Sequence, residues 1–358
     1  MDFSLSPHQR DLQAQARAFL DARFPLGRVA ELADSELGWD PGSWQELADL
    51  GWLGISAPES LGGTGLGFLE EAMVLEELGR CLYPGPFLAT VALALPALDD
   101  ARRAEVVSGQ RRWSATLGPG DSTVPDLDRV DQVVALEDGQ LLAMEAQGSR
   151  LESVDPTRPL GRLRASAGEP LHTGAAATRI AQQMRLRLWA GLAMEAVGGA
   201  QRVLELGLAH ARDRQQFGRP IGSYQAVSHR LADSYVELEL ARSLAYWASW
   251  CLSVGHEDAA VAASAAKAAA AEAYVGTCER TIQVLGGMGF TWESPLHRYY
   301  KRALWIEAFA GRPRQHRARV AAHLGLRPAD LPLPGAGAGQ ASGAADAAGR
   351  AAPPTPSR

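Results

Sequence analysis

Apolar residues recur at spacings of three and four from residue 5 to about residue 108, as at Leu12, Ala16, Phe19 and Leu20, and this period predicts amphipathic helices. Loop chemistry interrupts them at SAPESLGGTGLG, Ser56 to Gly67, before a further helix from Glu70 to Arg80. Residues 81 to 97 read as another short apolar helix, with Pro84 and Pro86 near its start. Between about 111 and 172 the period shortens. RVDQVVALEDGQLLAMEA places β-type runs on either side of Asp138-Gly139, a pair suited to a tight hairpin turn.

Longer helices return from Ala181 to about 325. Val227, Leu231, Tyr235, Leu238, Ala241 and Ala245 mark one face of a helix. Ala259 to Leu285 is rich in alanine, the best helix former. From Pro328 the chain is dominated by Gly, Ala and Pro, a composition that cannot bury a core, so a disordered tail is expected. The pattern predicts a mainly α protein with a small central β domain. Its expected parts are an N-terminal helical domain (1–110), a shortened middle β domain (111–175), a C-terminal helical bundle (176–326) and the tail (327–358).

Composition narrows the partners. The 358 residues are 46% hydrophobic, enough for a sizeable core, and the net charge of −6 argues against an electrostatic hold on nucleic acid or anionic lipid. No apolar stretch is long enough to span a bilayer, and the N-terminus lacks a basic start followed by an apolar run; a cytoplasmic protein is expected. Cys81, Cys251 and Cys278 have neither metal-ligand spacing nor the even count of a disulfide framework, and read as reduced core thiols. Lysine occurs only at Lys267 and Lys301, which reads as coding bias.

Two stretches carry candidate chemistry. In RDRQQFGRPIGSYQ the helix reaching Arg214 is expected to stop near Gly218, with Ser223 capping the next one. Arg214 and Phe217, three apart on a last helical turn, would then face the same way. A guanidinium beside an aromatic ring can hold a phosphate and a purine, but the same residues also suit a plain helix hairpin with solvated arginines. In QVLGGMGF, Gly286, Gly287 and Gly289 end the alanine-rich helix, serving either as a C-cap or as a place where a ligand approaches the backbone.

Together and in this order the stretches resemble the acyl-CoA dehydrogenase family over about residues 1 to 325. SAPESLGGTGLGFLEEAMVLEELGR is similar to that family's PE.GG segment and following helix, RQQFGRPIGSYQ to its R.QFG.PI..FQ motif, and QVLGGMGF to its Q..GG.G(Y/F) motif. The resemblance implies α,β-dehydrogenation of an acyl-CoA thioester with FAD as hydride acceptor and a glutamate as base. It also implies FAD contacts at Arg214, Phe217, Gln225, Gln283, Gly286 and Gly287, reaching a flavin held mainly by a neighbouring subunit. Implied partners are an acyl-CoA substrate, a homologous or identical subunit, and an electron-transferring flavoprotein.

The chain departs from the family where the chemistry occurs. The usual base position falls at Ala310 in Phe309-Ala310-Gly311-Arg312, and the alternative base position, on the helix before the R.QFG motif, falls at Leu188. Leu186 and Trp189 replace a D..R pair that contacts CoA. Glu307 and Glu195 are the substitute carboxylates within reach, while His229 and His297 read as surface or helix-terminus residues. The β domain is short: ATLGPGDS is at best a remnant of the flavin-facing loop, whereas DPTRPL resembles a stretch found in bacterial members. Such losses resemble the base-lacking member of a two-subunit dehydrogenase. A self-sufficient enzyme using Glu307, and a scaffold that has lost its flavin, are the rival expectations.

Overall fold

The computed structural model describes residues 5–116, 118 and 121–326. The expected disordered tail lies outside these residues, as do three positions of the ATLGPGDS stretch. The first helix, α1 (Pro7–Arg23), starts where Ser6 Oγ accepts from Gln9 N and the Gln9 side chain answers the Ser6 backbone. It is followed by α2 (Leu26–Ala33), α3 (Gly42–Asp49), α4 (Phe68–Arg80) and α5 (Asp100–Val107). The α4 helix is buried along almost its whole length.

The segment expected to form one α-helix over 81–97 does not. Leu82 takes a left-handed backbone, Leu88–Ala94 winds as a π-helix, and Leu95–Ala97 closes as a 3-10 turn. Pro84 and Pro86 lack the N–H groups that would continue a helix from α4, and Pro96 removes another donor at the far end.

Two small sheets follow. Strands β1 (Trp113–Ala115), β3 (Gln132–Glu137), β4 (Gln140–Glu145) and β7 (Glu169–Thr173) form the first in the order β1-β3-β4-β7. Strands β2 (Thr123–Pro125), β6 (Leu160–Leu163) and β5 (Gly148–Leu151) form the second. Asp138 and Gly139 join β3 to β4 with φ of 45° and 73°, the doubly positive geometry of a two-residue hairpin turn.

The rest is helical: α6 (Gly174–Asp213), α7 (Gln225–Val254), α8 (Ala259–Leu285), α9 (Leu296–Ala308) and α10 (Pro313–His323). Small residues let the long helices approach closely. A Cβ on Gly198 would meet the Glu76 carbonyl of α4 at 1.8 Å, and one on Gly199 would meet Tyr274 of α8 at 2.4 Å. On α7, Leu231, Leu238, Ala241 and Ala245 are buried as predicted, but Tyr235 is 56% exposed; it sits at the rim of a recess between α6 and α7. The described residues up to 320 form one unit, and residues 321–326 belong to a second. Among the described residues no helix is long and apolar enough to cross a membrane.

Candidate functional site

The C-terminus of α6, the N-terminus of α7 and the C-terminus of α8 lie at one end of the bundle. A Cβ on Gly207 of α6 would come within 3.1 Å of both Leu231 of α7 and Thr281 of α8. Near the same level, Arg280 of α8 forks onto Glu237 of α7, at 2.7 and 2.5 Å. All six residues expected to contact FAD stand at this end, on the segments that leave or enter these three helices.

The local fold differs from the expected one. The α6 helix stops at Asp213, and Gln215–Gln216 (β8) then pairs with Arg219–Pro220 (β9) in a hairpin whose tip is Phe217-Gly218, with φ of 53° and 82°. Phe217 is therefore 93% exposed at a turn and does not share a helical turn with Arg214. Ser223 does not cap α7, because its hydroxyl donates 2.7 Å to the Pro220 carbonyl. Tyr224 is the N-cap and supplies no side-chain acceptor. Its Oη instead donates 3.0 Å to the Gln216 carbonyl while Arg219 lies over its ring, fastening the hairpin to the start of α7.

Three features of this end suit a diphosphate group. Arg214 is exposed, and among the described residues its guanidinium makes no hydrogen bond or ion pair. The uncapped start of α7 leaves the N–H groups of Gln225 and Ala226 without a partner among the described residues, which favours an anion. Gly286 caps α8 with φ of 62°, and nothing lies within 4 Å of where a Cβ on Gly286 or Gly287 would stand. Gln225 and Gln283 are exposed beside these groups. The residues present thus fit the diphosphate of FAD.

The two positions expected to carry the family's base, Leu188 and Ala310, lie elsewhere, and they are filled. Leu188 is fully buried. Trp189 Nε1 donates 3.0 Å to the carbonyl of Ala310, and His316 Nε2 lies 3.2 Å from the same oxygen. The Trp189 ring packs edge-on against His316 and lies beneath Arg319. From α8, Lys267 Nζ donates 2.7 Å to the Ile306 carbonyl and 3.4 Å to that of Gly311. Ala310 has φ of 59°, and the loop around it is held by side chains from three helices, Trp189 and His316 at Ala310 and Lys267 at Ile306 and Gly311. Burial pushes Lys267 down to about 7 against the opposing Glu307 charge, and burial with Lys267 and Arg319 nearby pushes His316 down to about 4.

Neither substitute carboxylate is placed as a base. Glu307 acts on Lys267 only at longer range, and among the described residues it forms no ion pair; Arg302, on the same helix, is taken by Asp155 and Thr157. Glu195 is buried and paired with Arg158. His229 is exposed on α7, and His297 packs its ring on Trp292 at the start of α9. All three cysteines are free and buried, and burial raises each thiol, Cys81 to about 12, so none is a thiolate at neutral pH.

The sequence reading missed a buried charge network between the second sheet and the bundle. Asp155 and Thr157 of the DPTRPL stretch bind Arg302 of α9, Arg158 binds Glu195 of α6, and Arg129 binds Asp126 and the Pro84 carbonyl. All six charged residues are no more than 3% exposed. Desolvation raises Asp126 to about 6, whereas the Arg302 guanidinium and the Thr157 hydrogen bonds hold Asp155 below the ordinary range despite its burial. Lys267 was also missed, although a lone lysine within an alanine-rich helix could have signalled a buried donor.

Residues 6–101 match the acyl-CoA dehydrogenase N-terminal domain and residues 177–325 the acyl-CoA dehydrogenase C-terminal domain. The chain is 36% identical over 306 residues to acyl-CoA dehydrogenase IpdE2 of Mycobacterium tuberculosis, covering 83% of this chain and 91% of that protein. Its fold is similar to the ChsE4–ChsE5 complex from Mycobacterium tuberculosis, with a TM-score of 0.82, 27% identity, and 93% and 100% of the two chains covered. It is also similar to the Tcur3481–Tcur3483 steroid ACAD, with a TM-score of 0.81, 26% identity, and 89% and 98% covered. Matched at both ends and 36% identical to a relative across most of its length, the chain belongs to the acyl-CoA dehydrogenase family.

Proposed function

We propose that this chain is the base-lacking subunit of a two-subunit acyl-CoA dehydrogenase and that it clamps the FAD of a homologous partner. The observation that carries this reading is an asymmetry: the clamp end of the bundle is open and unpartnered, while the base loop is locked shut by Trp189, His316 and Lys267. Bound FAD supplies the two-electron acceptor for α,β-dehydrogenation of an acyl-CoA thioester to a 2-enoyl-CoA. Arg214 and the free N–H groups at the start of α7 neutralise the diphosphate. Gly286 and Gly287 let it approach the backbone, Gln225 and Gln283 hydrogen-bond it, and Phe217 gives the purine a face. The partner subunit supplies the glutamate that takes the α-proton, and an electron-transferring flavoprotein accepts the electrons.

Two further observations support assembly at this end. Phe217, Phe290 and Trp292, on the segments that form the clamp, are 93%, 82% and 78% exposed. Beside the hairpin a mostly apolar recess of about 550 Å³ opens between α6 and α7. Exposed apolar surface of this kind marks a face that another subunit covers. Three buried thiols fit a reducing compartment, so we place the enzyme in the cytoplasm.

The test is to purify the chain alone and with homologous acyl-CoA dehydrogenase subunits encoded beside it, then record the bound-flavin spectrum and acyl-CoA-dependent dye reduction. Flavin and activity only in the mixture, both lost with Arg214→Ala in this chain, are the expected results. A yellow, active protein from this chain alone would return the self-sufficient enzyme. Colourless protein in every combination would return the scaffold.

A further inference from the structure

A second cavity, of about 250 Å³, lies away from both regions described above. It is lined by Ser56 and Pro58 of the SAPESLGGTG loop, Leu95 and Pro96, Arg103 of α5, and Arg187 of α6. Nothing in the proposed clamp or the locked base loop uses it. It opens on a different face of α6 from the base loop, because Trp189 stands about 200° around the helix from Arg187.

Two guanidinium groups border it. Arg187 is 7% exposed and lies over the Phe68 ring. Its Nη2 forks onto both Glu71 oxygens, at 2.8 and 2.7 Å, and also meets Ser56 Oγ and the Val91 carbonyl, while Nε donates 3.2 Å to the Ala92 carbonyl. Nη1 makes no hydrogen bond among the described residues. Arg103 is aimed by two carbonyls, Leu95 at 3.4 Å from its Nε and Pro96 at 3.2 Å from its Nη2. Its nearest carboxylate, Asp100, is 3.8 Å away and largely in water.

The wall therefore holds two fixed positive charges against one buried carboxylate, Glu71, whose oxygens Arg187 and Ser56 already occupy. A fixed, incompletely paired guanidinium is selective for a planar carboxylate. The remaining walls, Leu95, Pro96, Pro58 and Ala57, are apolar. The volume falls below the range of about 300–1,000 Å³ typical of drug-sized ligands, so the occupant is small.

We propose that this cavity is a binding site for a small organic carboxylate, with its carboxylate on Arg103 and on Nη1 of Arg187 and its short hydrocarbon part against Leu95, Pro96 and Pro58. The site is separate from the flavin clamp, and its occupancy is read without flavin, partner or turnover.

The experiment is calorimetric titration of the full chain with sodium butyrate, sodium acetate and inorganic phosphate at matched ionic strength. Butyrate is expected to bind saturably at one site and more tightly than acetate or phosphate. Arg103→Met is expected to weaken it by at least about tenfold. Gln183→Trp, at an exposed position on the cavity wall, is expected to abolish binding by filling the mouth, with an unchanged circular dichroism spectrum. This second variant keeps the test decisive if Arg103→Met fails to fold. No saturable butyrate heat, an unchanged affinity in a folded Arg103→Met or Gln183→Trp, or phosphate binding as tightly as butyrate would each overturn the assignment.

Discussion

Trp189 Nε1 donates a 3.0 Å hydrogen bond to the carbonyl oxygen of Ala310. These are two of the positions at which the sequence is expected to depart from its family, Trp189 where a CoA-contacting arginine and Ala310 where the base is expected. The two departures are thus one structural feature. An indole fills the space beside the loop and satisfies the loop carbonyl, so the absence of a carboxylate at residue 310 is accompanied by packing that closes the position.

Trp189→Phe keeps the ring but removes the donor. The expected loss is about 1 kcal/mol, the usual worth of one neutral hydrogen bond, because His316 still faces the same carbonyl. Urea unfolding measures it. Ala310→Glu is expected to leave the isolated chain inactive in dye reduction, since Trp189, His316 and Lys267 still hold the loop. Activity from that single substitution would mean that the loop is not locked.

Gly286 and Gly287 separate clamp function from stability. Nothing lies within 4 Å of a Cβ built at either position, but only Gly286 has the left-handed backbone, with φ of 62°. Gly286→Ala is expected to cost about 1 kcal/mol from backbone strain. Gly287→Leu carries no such strain and is expected to change stability by less than about 0.5 kcal/mol, while its side chain blocks the approach of the diphosphate. Flavin co-purified with the mixture of this chain and a partner subunit, measured by absorbance, should therefore be lost with Gly287→Leu, while the melting temperature of the isolated chain is unchanged.

Lys267 gives the fold a pH dependence of known sign. In the unfolded chain a lysine keeps its proton to about pH 10.4, but burial lowers Lys267 to about 7 in the folded chain. Between those values the unfolded state binds more protons, so this group's contribution to stability rises with pH; below about 7 its full burial penalty is present. Lys267→Met removes the titration. Relative to the variant, the wild-type chain should gain up to about 1.4 kcal/mol per pH unit above about pH 7. Parallel stability curves for the two proteins in urea would show that Lys267 does not titrate there.

The helical periods and the Asp138-Gly139 turn were legible because each is a local property, a face repeated along a helix or a residue pair that accepts positive φ. Phe217-Gly218 has the same turn chemistry, yet its strands are two residues each, too short to alternate, and the amphipathic run into Arg212 hides the stop. The Ser223 hydroxyl is drawn to Pro220 by the single 3-10 turn at Ile221–Ser223, which no local pattern announces. The six residues proposed for the clamp belong to two sequence motifs, but their common position at one end of the bundle depends on how three helices pack. Trp189 with Ala310 and Arg302 with Asp155 lie 121 and 147 residues apart, so these pairs exist only through tertiary structure.

Arg302 and Asp155 supply the last test, of what joins the second sheet to the bundle. Both are buried, and Thr157 ties them together, donating from its N and Oγ1 to Asp155 Oδ1 and accepting 2.6 Å from Arg302 Nη2. Removing one member of such a pair leaves an uncompensated charge without water, so Arg302→Met is expected to cost about 3–5 kcal/mol. Removing both charges removes the penalty together with the attraction. The double variant Arg302→Met with Asp155→Leu should therefore be more stable than Arg302→Met alone, a sign reversal that simple loss of packing would not give. Glu195 on α6 is 18 residues from the helix end at Asp213, about 27 Å along the axis, so the joint is remote from the clamp. Well below its melting temperature, the double variant mixed with a partner subunit should keep its flavin, and absorbance reads that directly. Loss of flavin from a folded double variant would mean that the charge network, and not the end of the bundle alone, shapes the cofactor site.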